Sequence, residues 1–332
     1  MKIKQLLSAL FCIVLFLSAC SDIGSESTIT DTPAETEAAA VESAEADAES
    51  ASLFPYTFTD SLGNEVTVDA PVKKAAVLFS SLADIWNACG GEIAVTVGDS
   101  VERGFAEADA ILVNDGAGLK IDTEALVAAE PDLVIGTASF SAQQEAAETL
   151  REMGIPCALF DEDSFEDYLQ ILKIFADLNE NETAYQEQGM DVEAEIDTIL
   201  DDLDKKEFSY LFIRAGSGFS ATKAKTAEDH FACVILDVIG GHNIAEEAGN
   251  LAEELSLESI LAQDPDYIIL AAQGDEDTAK AYIDELFAED GWSELTAIRE
   301  NRCFFVDKEL YNYKPNSRWA EAYQTMIELI YE

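Results

Sequence analysis

A segment that combines a short helix, a Pro-Asp turn and an apolar strand occurs twice in this chain. The two copies, residues 122–135 and 256–269, align without a gap and share a Glu, an Ala, the Pro-Asp pair and a closing aliphatic run. Glu124 and Glu258 occupy the same place in the first helical turn, where the helix dipole favours negative charge. Because proline cannot continue a helix, each helix must end before its Pro-Asp pair. A unit of this kind used twice predicts two similar α/β lobes.

A positively charged start and a short apolar run mark the first residues as a targeting segment. Lys2 and Lys4 precede the apolar run 6–17, which is shorter than the ~20 residues of a membrane-spanning helix. The sequence Leu-Ser-Ala-Cys at 17–20 resembles a bacterial lipobox, which implies cleavage before Cys20 and lipid on its sulfur. An ordinary signal peptide and a single-span anchor are the alternatives.

The next segment, residues 21–52, is mostly Ala, Glu, Ser and Thr and contains neither Lys nor Arg. It has few large apolar side chains, so it cannot bury enough surface to offset the entropy lost on ordering. We predict a disordered acidic tether that holds a globular body away from the membrane. The whole chain carries a net charge of −48, of which the tether supplies a minor part. So acidic a surface repels nucleic acid and anionic headgroups, which leaves the lipid anchor as the membrane contact.

The body of ~280 residues exceeds what one small hydrophobic core supports, which again favours two lobes. Two alternating runs around a glycine-containing turn, 56–59 and 65–68, predict an opening β-hairpin. Strands then alternate with helices, the pattern of parallel βαβ units, on both sides of a long polar helix. We predict an α/β fold of two lobes with mainly parallel sheets, joined by one long rigid helix. The predicted segments are a lipoprotein signal peptide at 1–19, the tether at 20–53, an amino-terminal α/β lobe at 54–181, the bridging helix at 182–205 and a carboxy-terminal α/β lobe at 206–332.

Signatures of catalysis are missing from the sequence. It contains no G-x-S-x-G motif, no phosphate-binding lysine loop and no H-E-x-x-H motif. His230 and His242 are the only histidines, too few for most histidine-based metal sites. His230 follows two acidic residues and is interpreted as solvated, and His242 as part of a Gly-Gly turn. We therefore expect a binding protein rather than an enzyme, without a metal site or a cofactor.

Besides the lipidated Cys20, four cysteines remain in the processed chain, and none forms a C-x-x-C pair. Buried thiols are the simpler interpretation, and one disulfide is compatible with an extracellular location. The four residues are Cys89, Cys157, Cys233 and Cys303.

Several short sequence elements in a fixed order give the chain a resemblance to a known family. It resembles the substrate-binding lipoproteins of bacterial ABC importers, in the class that handles iron-siderophore complexes and vitamin B12. The resemblance covers nearly everything after the tether. The elements that carry it are Tyr-Thr-Phe-Thr-Asp-Ser-Leu-Gly-Asn-Glu-Val-Thr-Val at 56–68, Ser-Leu-Ala-Asp-Ile-Trp at 81–86 before Gly90-Gly91, both Pro-Asp repeats, Gly-Gly-x-Asn-Ile-Ala at 240–245, and Trp292-x-x-Leu295-x-Ala297.

This resemblance implies a monomer that binds its ligand between two lobes with limited opening. It also implies a partner, the permease dimer of an importer with its ATPase. In the family, one carboxylate of each lobe contacts arginines on the paired permease subunits, and the resemblance assigns this role to Glu124 and Glu258. The alternative is that each Glu only complements its helix dipole.

Candidate ligand contacts come from the loops that follow the strands, because ligands of parallel sheets bind beyond the carboxyl ends of the strands. Lys and Arg are scarce, yet several fall in or near second-lobe loops, interleaved with aromatic residues. Cations recognise carboxylate, phosphate or catecholate oxygens, and aromatic rings cover flat apolar ligand parts. Balance of the acidic surface is the alternative role. The predicted ligand-binding residues are Ser80, Ser81, Thr137, Ser139, Phe140, Arg214, Lys223, Lys225, Gln273, Tyr313, Lys314, Arg318 and Trp319.

We therefore expect an extracytoplasmic, lipid-anchored importer subunit that captures a small-molecule metal chelate, with a ferric siderophore as the first candidate. A corrinoid such as vitamin B12, or haem, is the alternative ligand, and an extracellular α/β enzyme is the alternative class. Importers of free manganese or zinc need several converging His and carboxylate ligands, so the scarcity of histidine argues against them.

Overall fold

The computed structural model describes residues 53–247 and 255–331. The predicted signal peptide, the lipidation residue Cys20 and nearly all of the predicted tether lie outside these ranges. Within them, no helix combines the length and the hydrophobicity needed to cross a membrane. The four cysteines named above fall inside and are free thiols, three of them buried, so the interpretation as thiols is confirmed.

The first lobe consists of the predicted hairpin and a parallel five-stranded sheet. In the hairpin, Tyr56–Thr59 (β1) pairs antiparallel with Glu65–Val68 (β2). The sheet has the order β5-β4-β3-β6-β7, and β3, β6 and β7 are buried along their whole length, as expected for apolar strands covered on both faces. Its strands are Ala75–Val77 (β3), Ile93–Thr96 (β4), Ile111–Leu112 (β5), Leu133–Thr137 (β6) and Cys157–Phe160 (β7). Its helices are Ser80–Ala88 (α1), Gly98–Glu102 (α2), Thr123–Ala128 (α3), Ser141–Glu152 (α4) and Phe165–Leu178 (α5).

A long helical segment leads from the first sheet to the second. It comprises Glu182–Tyr185 (α6), a π-helical turn at Gln186–Met190 and Asp191–Asp201 (α7). It ends four residues before the predicted boundary at 205, because Asp201 and Asp202 bring negative charge to the helix C-terminus, where the dipole opposes it.

The second lobe holds another five-stranded sheet, in which β10, β8, β11 and β12 are parallel and β9 pairs antiparallel with β8. The strands are Phe208–Ala215 (β8), Lys223–Lys225 (β9), Gly241–Asn243 (β10), Tyr267–Ala272 (β11) and Cys303–Val306 (β12). The helices are Phe231–Val238 (α8), Ile244–Glu247 (α9), Leu257–Gln263 (α10), Glu276–Phe287 (α11), Thr296–Arg299 (α12), Lys308–Tyr311 (α13) and Trp319–Tyr331 (α14). The two-lobe α/β class predicted from the sequence is confirmed.

The two copies of the repeated segment have the same local geometry. Helix α3 is capped by Asp122, whose side chain accepts from the amide of Ala125, and α10 is capped by Ser256 in the same way. After each helix, the residue before the proline adopts a left-handed backbone conformation, with φ of 50° at Glu130 and 43° at Asp264. This conformation ends the helix and turns the chain into the following strand.

The aspartates of the two Pro-Asp pairs also make equivalent hydrogen bonds, each to a backbone N–H. Asp132 accepts a hydrogen bond from the backbone N–H of Lys73 at 3.0 Å, just before the neighbouring strand β3. Asp266 accepts from the backbone N–H of Ser209 at 2.8 Å, in the neighbouring strand β8. Each aspartate thus fixes the start of one strand to the start of the next.

One hydrophobic cluster is shared by both lobes. It contains Trp86 and Phe175 from the first lobe and Phe231 and Trp319 from the second, all at most 2% exposed. The rings of Phe165 and Trp319 meet across the interface with centroids 5.8 Å apart. Because burial of such side chains is the main stabilising term in folding, this shared core restricts how far the lobes can separate.

Candidate functional site

The lobes also meet through polar side chains that follow the carboxyl ends of strands. In the first lobe these residues follow β3 and β7, and in the second lobe they lie between α13 and α14. Asn316 of the second lobe donates to the carbonyl of Ser81 at 3.2 Å and to Asp84 Oδ2 at 2.6 Å, and its Oδ1 lies 3.0 Å from Ser81 Oγ. These contacts join the two lobes beyond the carboxyl ends of the strands, and we call this region the interlobe cleft.

Lys314 makes a second polar contact between the lobes. Its ammonium group donates to the backbone carbonyl of Glu162 and lies 3.0 Å from Asp163 Oδ1. It also stands 5.3 Å from the ring centroid of Phe231. The predicted ligand residue Lys314 is therefore at the interface of the lobes, where it is paired with Asp163 of the facing lobe.

Arg103 reaches across the cleft from the end of α2. Its guanidinium carbon lies 4.1 Å from the ring centroid of Tyr313, and one of its nitrogens donates to Ser80 Oγ at 3.0 Å. The other terminal nitrogen is 3.6 Å from a carboxylate oxygen of Glu309. Arg103 is not among the residues predicted from the sequence; it is the C-cap of α2, which begins directly after β4.

Three of the predicted cations converge on one buried imidazole. His230 is only 6% exposed, and its Nδ1 accepts from the amide of Ala232 at the start of α8. Burial lowers the pKa of His230 well below its ordinary value, and the charges of Lys314, Lys225 and Arg214 lower it further. The prediction that His230 is solvated is wrong. Burial is the largest cause of this pKa shift, and the three cations add to it from the same side of the second lobe.

Arg214 lies in β8 and not in the exit loop predicted for it, because β9 extends the sheet past this point and pairs Arg214 with Lys223. Its Nε is buried and has no hydrogen-bond partner among the described residues. Burial lowers the pKa of Arg214, and the charge of Asp229 acts in the opposite direction. A buried guanidinium nitrogen without a partner is a candidate donor to an anionic ligand. Lys225, two residues along the partner strand, is paired with Asp229 at 2.5 Å.

Two predicted contacts are contradicted by the structure. Trp319 is fully buried in the shared core, against Phe165 and Phe231, so its ring cannot cover a ligand. Arg318 lies on the surface, where both of its guanidinium bonds, at 2.7 Å, go to Glu321. The basic and aromatic pattern around residues 313–319 is therefore divided between the cleft, the core and the outer surface.

The first-lobe candidates fall into a buried set and an exposed set. Ser80 and Ser81 are buried. The Ser80 hydroxyl donates to Asp99, and the Ser81 hydroxyl makes the interlobe contact with Asn316. They do not cap α1, whose N-cap is a phenylalanine. The hydroxyl of Thr137, also buried, accepts from a backbone amide.

Other predicted contacts lie nearer the solvent. Ser139 is exposed and donates to Asp161 at 2.8 Å, and the partly buried Phe140 meets Phe79 edge to face, with centroids 5.7 Å apart. In the second lobe the side chain of Gln273 is exposed, directly after β11.

Glu124 and Glu258 are both exposed and both lie in the first turn of their helices. Neither belongs to the polar contacts of the cleft described above. His242 lies in β10 rather than in a turn.

Two concavities occur at the opposite, amino edge of the second sheet. One of about 540 Å³ is lined by Phe208, Tyr267 and Tyr331, and one of about 590 Å³ by Gly240, His242 and neighbours of Phe208. Because ligands of parallel sheets bind at the carboxyl edge, the candidate ligand site stays with the interlobe cleft and not with these concavities. No group of three His, Cys, Asp or Glu side chains in the described ranges is arranged to hold a metal ion.

Comparison with known proteins agrees with this architecture. A family model described as periplasmic binding protein matches residues 76–310. The chain is 24% identical over 287 residues to the uncharacterized ABC transporter substrate-binding lipoprotein YvrC of Bacillus subtilis (strain 168), covering 84% of this chain and 86% of that protein. It is 24% identical over 236 residues to a cobalamin-binding protein of Halobacterium salinarum, covering 69% of this chain and 62% of that protein.

A solved structure with the same fold is that of an ABC-type Fe3+-hydroxamate transport system from Saccharomonospora viridis. Its TM-score is 0.65 at 20% identity, over 84% of this chain and 100% of that one. The family match, which extends over more than half of the chain, confirms the resemblance drawn from the sequence elements. The chain belongs to the periplasmic binding protein family.

Proposed function

We propose that this protein is the extracytoplasmic solute-binding subunit of an ABC importer, and that it captures a ferric siderophore in the interlobe cleft and delivers it to a permease. Membership of the periplasmic binding protein family supports a role in binding rather than catalysis. The names of two similar proteins, a substrate-binding lipoprotein and a Fe3+-hydroxamate transport system, support import.

The observation that carries the choice of ligand is the positive charge at the cleft of a very acidic protein. Arg214, Lys225 and Lys314 all act on the same buried His230, in a chain with 19 basic and 67 acidic residues. Charge-assisted bonds from such cations suit the carboxylate, catecholate or hydroxamate oxygens of a ferric chelate.

The first lobe contributes a complementary element. Arg103 is 18% exposed and is held against Tyr313, so its planar fork and the aromatic ring face the cleft as one unit. Such a pair can bond an anionic group and cover a flat ligand part. We propose Arg103 as an added ligand contact beside Ser139, Phe140, Arg214, Lys223, Lys225, Gln273, Tyr313 and Lys314.

We further propose that the protein is anchored by lipid on Cys20 and docks on the permease through Glu124 and Glu258. The lipobox at 17–20 and the lipoprotein relative support the anchor. The equal placement of the two carboxylates, one in each lobe, suits a partner with two-fold symmetry. The proposed partner is the permease dimer with its ATPase.

The test is native mass spectrometry of the purified chain against a panel of hydroxamate, catecholate and carboxylate ferric siderophores, haem and corrinoids. We expect one ferric siderophore to bind, and its iron-free form to bind more weakly. A corrinoid is the second candidate, because one relative is a cobalamin-binding protein. Binding of a corrinoid alone would replace the siderophore proposal and leave the importer role intact, whereas turnover of any panel compound would contradict the role as a binding subunit.

A further inference from the structure

The deepest polar contact between the lobes is a chain of three buried side chains. Ser81 Oγ lies 3.0 Å from Glu162 Oε2 and 3.0 Å from Asn316 Oδ1. Ser81, Asn316 and Glu162 are 3%, 4% and 5% exposed, so water does not replace any of these bonds. Asn316 adopts a left-handed backbone, with φ of 51°, to enter the first lobe.

The protons of this chain can be counted. Both bonds of Asn316 Nδ2 go to acceptors, the carbonyl of Ser81 and the carboxylate of Asp84, which fixes Oδ1 as the atom facing Ser81 Oγ. A serine hydroxyl has one proton to donate. If that proton goes to Asn316, Glu162 must carry a proton of its own to bond Ser81. If Glu162 is ionised, its carboxylate accepts the hydrogen bond from the Ser81 hydroxyl. Asn316 Oδ1 then has no donor.

The surroundings of Glu162 favour the protonated form. Burial raises the pKa of Glu162 to about 7, and the charges of Asp84 and Asp163 raise it, while Lys314 and the bond to Ser81 lower it. The ammonium of Lys314 donates to the Glu162 backbone and to Asp163 instead of the Glu162 carboxyl. Glu162 Oε1 is buried and has no hydrogen-bond partner in the described part of the chain. Tyr168 of α5 is a neutral phenol, because burial and the charge of Glu162 raise its pKa, and its hydroxyl donates to the carbonyl of Gln188.

We propose that Glu162 is a proton-operated latch between the lobes: the neutral carboxyl holds Ser81 and Asn316 together, and its ionisation loosens the lobes. The latch belongs to the unliganded protein, so it stands or falls independently of which solute binds. It joins α1, the segment after β7 and the segment before α14, which are otherwise separate in sequence.

The direction of the effect follows from the two states. In the closed state the carboxyl titrates near 7, and in an opened cleft, where water reaches it, near the ordinary ~4.3 of glutamate. The closed state then binds more protons between these values. The free energy that favours the closed state over the open state therefore increases as pH falls below about 7. It is lost again as pH rises through about 7.

Hydrogen–deuterium exchange of the full chain at pH 5.5 and pH 8, corrected for the intrinsic rate with an unstructured peptide, tests the latch. We expect protection of segments 80–85 and 314–319 to be roughly tenfold or more higher at the acidic pH in the wild type. Glu162→Gln, which is neutral at both pH values, should remove this dependence. Glu166→Gln, at an exposed carboxyl four residues further on, should keep it.

If the Glu162→Gln variant does not fold, a second measurement, made on the wild-type protein, still tests the latch. Carbon-13 NMR of the wild-type carboxyls should show one glutamate with a midpoint near 7, and Ser81→Ala should shift that midpoint. A wild-type protein whose interlobe protection is the same at both pH values, or in which every glutamate titrates near 4.3, contradicts the latch.

Discussion

Arg103 of the first lobe and Tyr313 of the second lobe are stacked across the cleft, with the guanidinium carbon 4.1 Å from the ring centroid. The pair connects the end of α2 with the segment that also carries Lys314 and Asn316. It therefore joins a proposed ligand contact to the interlobe interface.

Removal of this arginine should weaken ligand binding. We expect Arg103→Ala to raise the dissociation constant of the tightest ferric siderophore of the panel about tenfold or more, because a charge-assisted bond contributes ~1.5–3 kcal/mol. Arg103→Lys should give an intermediate loss, since lysine keeps the charge without the planar fork. Isothermal titration calorimetry measures both, and wild-type affinity in Arg103→Ala would remove it from the site.

Charge reversal at Arg214 should have a comparable effect. Arg214→Glu places a carboxylate where the structure has a partly buried guanidinium, so affinity for the same siderophore should fall tenfold or more. Arg299→Glu, an exposed reversal on α12, is the matched control and should bind normally. Equal affinities in the two variants would contradict the assignment of Arg214.

Trp319 should matter for stability instead of ligand contact. Trp319→Ala empties a fully buried position in the shared core and should lower the free energy of unfolding by ~3–5 kcal/mol. The control is Phe219→Ala, an aromatic residue of the same lobe that is 59% exposed, with an expected change within ~0.5 kcal/mol. Urea denaturation distinguishes them, and a loss of similar size in both would show that Trp319 is not a core residue.

His230 should make stability fall under acid. Its pKa in the folded protein is well below its ordinary value, so the proton binds preferentially to the unfolded chain. The resulting stability is present above pH ~6.5 and is lost as pH falls toward the folded pKa. Replacing it by asparagine, which can still cap α8, should remove this part of the loss in urea unfolding measured across pH. His242→Asn, which changes the only other histidine, should retain the loss.

The paired glutamates should be needed for transport and dispensable for binding. A Glu124→Ala, Glu258→Ala double variant should keep its fold, apart from ~0.3–1 kcal/mol for each lost dipole interaction, and its ligand affinity. It should lose uptake and salt-sensitive docking to the permease complex. A control pair at exposed acids of other helices, Glu148→Ala with Glu285→Ala, should transport normally. Normal uptake by the first pair would leave the repeat with a structural role alone.

Much of the fold could be predicted because local signals and burial agree. The repeated segments, the hairpin and the apolar strands each have a hydrophobic periodicity, or a Gly or Pro that ends them, and that signal fits one type of secondary structure. Helix α5 is an example: Ser164 caps it, and the five apolar residues at helical spacing are all buried.

The site was harder to predict because it depends on how distant segments meet. Arg103 lies on a short helix with no sequence period, and Arg214 was assigned to a loop because the antiparallel strand β9 is only three residues long. Trp319 was recoverable: with Tyr323, Met326 and Ile330 it forms one buried helical face, which indicates a core residue more strongly than its charged neighbours indicate a ligand.

The shared core has a practical consequence for anyone who wishes to divide this protein. Because Phe165 of the first lobe packs on Trp319 of the second, within one buried cluster that also holds Trp86, Phe175 and Phe231, either half expressed alone would present a large aromatic face to water and aggregate. Reporter designs that depend on splitting the chain at the connecting helix should therefore fail, whereas insertions at surface loops far from this face should be tolerated.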